Sequence, residues 1–180
     1  DGSVEPIGVA EMTASGFRVG RVAPLIGRTL VEGDEAPGAP PVAVIGHALW
    51  QRRFRGDERV VGRSVRLGSE QTTIVGVMPT DFGFPLSHEI WIPLRQARSA
   101  SPNDATMLVF GRLADGVTFD EAQAELTTVG RRLANDARDA DTVLQSQVVP
   151  YSHLFFDPRS FSVGLALANV ARPDAILLDL

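Results

Sequence analysis

Cysteine is absent from this 180-residue chain, and so is lysine: all 17 basic side chains are arginine. The first absence removes thiol nucleophiles, disulfide frameworks and thiolate metal sites. It also suits an oxidising compartment, where a stray thiol is a liability. The second excludes Schiff-base chemistry and the phosphate-gripping lysine of a nucleotide loop. Positive charge is in deficit, with 22 acidic residues giving a formal net charge of −5, so no net field attracts a phosphate backbone and nucleic acid is not an expected partner. Membrane-length apolar segments are missing too. The charge-free run Ser160 to Ala171 is well short of the ~20 apolar residues a membrane helix needs, and no signal peptide opens the chain, which reads as a soluble fragment.

What is present suffices for a core. Hydrophobic residues make up 44% of the chain, and its length accommodates one domain or two small subdomains. Pro6 to Met12 reads as a strand, followed by a short helix near Ser15 to Val19 with Thr13 or Ser15 placed to cap it. After an acidic Pro/Gly loop from Glu32 to Pro41, the apolar run Val42 to Ile45 predicts a buried strand. Gly46 and His47 lead into a helix with Leu49, Trp50 and Phe54 on one flank and Gln51, Arg52, Arg53 and Arg55 elsewhere, ended by Gly56-Asp57. Val65 and Leu67 alternate with Arg66, residues Gly68 to Gln71 turn, and Thr72 to Met78 runs back as a β-hairpin.

Pro79, Pro85 and Pro93 then punctuate an irregular excursion pinned by Phe82, Phe84 and Trp91, which ends in an edge strand at Glu89 to Ile92. Beyond a polar linker at Ala97 to Asp104, Thr106 to Leu113 alternates as a strand. Thr118 with Glu121 forms a capping box for a helix reaching about Asn135. Its stripe of Phe119, Ala122, Leu126, Val129 and Leu133 is expected to cover a sheet, to which Val143 to Val149 adds a strand.

Catalytic chemistry finds no anchor in these segments. His47, His88 and His153 lie far apart, without a second ligand at metal-binding spacing, so neither a metal nor a cofactor site is assigned. The acidic neighbours Asp34-Glu35, Asp57-Glu58 and Asp120-Glu121 each fall at a turn or helix start, where exposed N–H groups favour carboxylates. Neither a Gly-x-Ser-x-Gly elbow nor a G-x-G-x-x-G loop occurs. Among the rings, Trp50, Phe54, Phe82, Phe84 and Trp91 serve first to fill a core or pin a loop. Phe82, Phe84 and Trp91 are the candidates for a ligand or partner contact. Arg52, Arg53 and Arg55 read as a solvated helix face or an intersubunit ion-pair surface.

The order VAVIGHALWQRRF, GDERVVGRSVRL, TTIVGVMP, EIWIPL between Val42 and Leu94 resembles the MacB-like periplasmic core domain of ABC-transporter permeases. The flanks GFRVGRVAPLIGRTLVEGDE (Gly16 to Glu35) and GRLADGVTFDEAQAELTTVGRRL (Gly111 to Leu133) extend that likeness over most of Glu11 to Pro150. Within that family the chain resembles the duplicated orphan permeases of the FtsX/MacB type. This resemblance implies an α+β fold with few helices: a mixed α/β porter-like unit over about 106–150, packed with a β-rich subdomain over about 42–94. The domain would occupy 1–150, partial at its N-terminus, leaving 151–180 as a C-terminal segment of uncertain status. Its last ten residues also resemble the phosphoacceptor strand of a receiver domain, with Asp179 at the acceptor position, although the receiver's acidic pocket and lysine are missing; the plainer reading is an apolar terminal strand or helix.

As to function, the likeness implies a non-catalytic extracytoplasmic (periplasmic) domain of an inner-membrane protein, coupling ATP-driven motion to export or envelope processes. Its partners would be the membrane, through transmembrane helices missing here, a cognate ABC ATPase, and a periplasmic adaptor or second permease half. The isolated fragment is expected to be a monomer or weak dimer. The alternative is a periplasmic binding module for an apolar or lipid-like ligand beside Phe82 to Trp91.

Overall fold

The computed structural model describes residues 5–95, 108–136, 147–151 and 176–179. In chain order the elements are β1 (Glu5–Pro6), β2 (Val9–Met12), α1 (Ala14–Gly20), β3 (Ile26–Gly27), β4 (Val42–Ile45), α2 (His47–Phe54), β5 (Ser64–Leu67), β6 (Glu70–Val77), β7 (Ile90–Pro93), α3 (Phe119–Asp136) and β8 (Ile176–Asp179). This is an α+β fold with few helices. By chain contacts it divides into two compact units, Asp1–Phe110 with Ala166–Leu180, and Gly111–Leu165.

The first unit is built around β4. All four of its residues are buried, because Val-Ala-Val-Ile has no side chain that gains from water on either face and so requires neighbours on both edges and cover on both sides. β6 runs parallel to it on one edge and β7 antiparallel on the other. β2 continues outward from β7 in parallel, and β5 pairs antiparallel with β6. β8 lies on β5 and β1 on β8, completing the order β1-β8-β5-β6-β4-β7-β2, with β3 paired to the far end of β6.

Alternation along the strands sends residues to two cores. Ala43, Ile45, Val65, Ile74 and Ile90 pack with Leu49, Trp50 and Phe54 of α2 on one face. Val42, Val44, Met12, Met78 and Trp91 pack with Phe17 of α1 on the other. Where β3 meets β6, the backbones come so close that a Cβ on Gly76 would run into the carbonyl of Arg28, which explains a glycine inside an otherwise β-branched strand.

Several expectations need correction. The segment at Glu89 to Ile92 is no edge strand: β7 has β4 on one side and β2 on the other, and Ile90, Trp91 and Pro93 are buried as an interior position demands. The strand expected over Pro6 to Met12 breaks at Ile7-Gly8, where the Gly8 carbonyl turns to accept the N–H groups of Glu89 and Ile90. The hairpin turn is tighter than expected, since β6 already starts at Glu70 opposite Leu67.

Thr13 stands at the start of α1 but makes no side-chain cap; Glu35 reaches back 21 residues to accept the Ala14 N–H at 2.6 Å. Residues 108–113 and 147–150 are not in strands, and 106–107 and 143–146 lie outside the described residues. The capping box of α3 is present: Glu121 accepts the Thr118 N–H at 2.8 Å and Thr118 Oγ1 accepts the Glu121 N–H at 3.3 Å. Yet the stripe it introduces is covered only in part: Phe119, Leu126 and Val129 are exposed, Ala122 is half-buried, and the Leu133 side chain lies outside the described residues.

Candidate functional site

The three singled-out aromatic residues do not act as one surface. Trp91, set by β7 on the α1 side of the sheet, is fully buried, and Phe82 nearly so. Phe82 stacks on Phe17 with centroids 5.6 Å apart and rings 8° from parallel, and both meet Trp91 edge-on at 5.0 and 6.4 Å. Edge contacts of this kind place positive ring edges on negative faces and add about 0.5–1.5 kcal/mol per pair beyond the area buried. The Trp91 indole N–H donates to the Phe84 carbonyl at 2.9 Å, so the excursion after β6 is tied to β7 by a polar bond as well as by rings. Phe84 itself is half-buried and meets Phe110 edge-on at 5.1 Å. Trp50 and Phe54 belong to the opposite face: Trp50 donates its indole N–H to the Asp57 carbonyl at 2.9 Å, and Phe54 lies under the Arg63 guanidinium at 5.4 Å.

A polar centre that residue patterns did not reveal lies in the loop between β3 and β4. Asp34, buried, takes two hydrogen bonds from Arg28, at 2.6 and 2.9 Å, and one from the Val31 N–H at 2.9 Å. Burial pushes the Asp34 carboxyl up, but these donors outweigh it and hold the group below its ordinary value. Arg95, just past β7, clamps the same loop by donating to the carbonyls of Asp34 and Pro40 at 3.3 and 2.8 Å. The only sequence signal was Asp34-Glu35 as turn carboxylates. The partners Arg28 and Arg95 follow no periodicity, because they meet only through the path of the loop.

Beside this clamp the strand ends frame a cleft of about 550 Å³, with Glu11, Glu70 and Thr72 among its polar walls and Val42, Leu67 and Ile92 among its apolar ones. Arg95 also lines it. Carboxylates and a guanidinium can bind and orient a polar group, but none of the described lining residues is a histidine that could move protons near neutral pH. His47 sits at the start of α2 with its ring edge on Trp50, and His88 lies between Phe84 and β7. Burial lowers the His88 imidazole below its ordinary value, against the opposing hydrogen bond to the Leu86 carbonyl. His153 lies outside the described residues. Among the described residues no three His, Asp or Glu side chains are placed to hold a metal ion, and no helix is long and apolar enough to cross a membrane.

A family profile described as the MacB-like periplasmic core domain matches residues 1–129. No curated protein matches the chain. Among solved structures, a domain assigned to a permease protein from Porphyromonas gingivalis is similar, at 18% identity over 74% of this chain and 64% of that one, with a TM-score of 0.42. The chain thus spans less than two thirds of that structure's length.

Proposed function

The chain belongs to the MacB-like periplasmic core domain family, and from that membership we propose that it works as a non-catalytic, force-relaying domain of an ABC-type permease, passing ATP-driven motion outward to an export or envelope process. The domain is extracytoplasmic and belongs to a membrane protein. Its partners in this reading are the membrane, a cognate ABC ATPase, and a periplasmic adaptor or second permease half, with the duplicated FtsX/MacB-type permeases as the subgroup.

One structural observation supports relay over chemistry. Segments as far apart in sequence as β2 and β7 are locked into one sheet around a strand buried on every side, with a core on each face. Such a body moves as a unit, because close-packed elements shift between discrete arrangements instead of deforming continuously.

The test uses the whole permease with its ATPase in nanodiscs, spin-labelled at Gln51→Cys and Ser69→Cys, two exposed positions of the first unit. The distance within one domain should stay constant between nucleotide-free and ATP-trapped states, while the Ser69-to-Ser69 distance between paired domains changes. A domain that stays put through the ATPase cycle, or that deforms internally, would rule the relay out.

A second reading, capture of an apolar or lipid-like ligand beside Phe82, Phe84 and Trp91, has one observation in its favour: Phe84 is the half-buried ring of the set. Saturable quenching of Trp91 by a short-chain phospholipid, abolished by Phe84→Ala, would support it.

A further inference from the structure

Helix α3 leaves the large members of its apolar stripe exposed, Phe119, Leu126 and Val129, while the small Ala122 among them is half-buried. The less exposed line of the helix is polar and small: Gln123 and Thr127 are half-buried and Gly130 is buried. Gln123 is held there, with its side-chain carbonyl accepting the Val148 N–H at 2.7 Å and its amide donating to Thr127 Oγ1 at 3.1 Å. Leu126 lies about 65° and Val129 about 125° around the helix from that line, and they are 38% and 42% exposed, with Phe119 at 49%. Three large apolar residues on one helical face are more than the scattered exposed hydrophobics any surface carries.

The charges beside this stripe identify what covers it. Glu125 and Arg132 are seven residues apart, so they fall on the same flank of the helix, next to Val129, and both are exposed. An acid and a base on one flank are complementary to a copy of themselves only when the second helix runs antiparallel, because that arrangement brings equal flanks together. A two-fold axis beside Thr128 and Val129 then sets Glu125 opposite the second copy's Arg132, and Arg132 opposite the second copy's Glu125. The same axis stacks Val129 on its counterpart and lays Leu126 against the second copy's Val129, with the two Leu126 side chains about 7.5 Å apart along the helix. We propose that α3 is a docking face for a second copy of this chain, through antiparallel α3–α3 pairing along Leu126 and Val129 with two Glu125–Arg132 pairs setting the register.

Such an interface is isologous and closes on two copies. One stripe per copy falls below the ~1,200 Å² of buried surface typical of stable complexes, so the pair is weak between free domains and strengthens when two copies are tethered in one assembly. This pairing concerns a surface of the second unit and stands or falls apart from the relay role of the first.

Because the chain has no cysteine, a single introduced thiol reports one position only. Val129→Cys, beside the proposed axis, should give disulfide-linked dimer under mild oxidation several-fold faster than Ala124→Cys, which is exposed on the opposite side of the helix. By sedimentation of the uncrosslinked chain, Glu125→Arg should weaken association about tenfold, since it turns both cross-pairs repulsive. Adding Arg132→Glu to Glu125→Arg should restore association to near the starting value. All these positions are exposed, and the two readouts are independent of each other. Equal crosslinking at the two cysteine positions, or a charge swap that fails to restore what Glu125→Arg removed, would overturn the pairing.

Discussion

Trp91 and Leu126 are both large apolar residues, and both sit in elements whose pattern marks them for a core. Trp91 in β7 is fully buried while Leu126 in α3 is more than a third exposed. The difference lies in what surrounds each element. β7 has a strand on either edge, and its Trp91 face is covered by Phe17 of α1. α3 is tied to the segment at Val148 through the side chain of Gln123, on a side of the helix other than that of Leu126. A strand inherits its surroundings from the sheet, whereas a helix can be docked on any side, so amphipathicity alone does not settle which side that is.

The largest expected effect tests the first half of this contrast. Trp91→Ala removes a ring that touches two others and frees the Phe84 carbonyl from its indole donor. It should cost about 3–5 kcal/mol in denaturant unfolding of the chain. A loss near 1 kcal/mol would mean that the cluster is loosely packed and that the sheet body is less rigid than a relay needs.

Next in size is Asp34→Asn, expected to cost about 1–3 kcal/mol because Arg28 and the Val31 N–H lose a charged acceptor. The pH dependence has a definite sign. The folded Asp34 value lies below the unfolded carboxylate value of about 3.9, so its contribution is complete above that pH and is lost as pH falls through the lower folded value. Melting temperatures of the native and Asp34→Asn chains should therefore differ at neutral pH and converge on acidification. A gap that widens toward low pH would contradict the assigned direction.

How much of this was legible beforehand divides along the same line. β4, the β5–β6 hairpin, the buried face of α2 and the capping box of α3 all follow from local pattern, and the structure has each of them. Local pattern could not show that β7 is interior, because the strand beside it, β2, comes from about 80 residues earlier. The Asp34 centre was opaque for the same reason: Arg95 reaches its carbonyl across 61 residues. The spacing of the rings at 82, 84 and 91 marks them as a set, but their division into two buried members and one half-buried one depends on Phe17, which nothing in that spacing points to.

A smaller effect sharpens the second half of the contrast. Thr118→Ala removes the hydroxyl that accepts the Glu121 N–H and donates to the Glu121 carboxylate at 2.9 Å. A lost N-cap of this kind costs about 1 kcal/mol. The loss should fall on the first turn of α3, read as faster amide exchange there with protection in β4 and β6 unchanged. Equal loss of protection in both places would mean that the two units unfold as one.

The smallest expected effect is the most discriminating. Leu126→Ala shortens a side chain already 38% exposed and leaves no enclosed void, so at low concentration it should cost under about 1 kcal/mol. At high concentration the same substitution should also lower self-association, since the missing carbons lie on the proposed α3–α3 contact. Stability and association thus separate at this residue, as they do not at Trp91. Were Leu126→Ala to cost as much as Trp91→Ala in the dilute chain, the stripe would have to be covered within the monomer, and both the contrast between the regions and the pairing built on it would fail together.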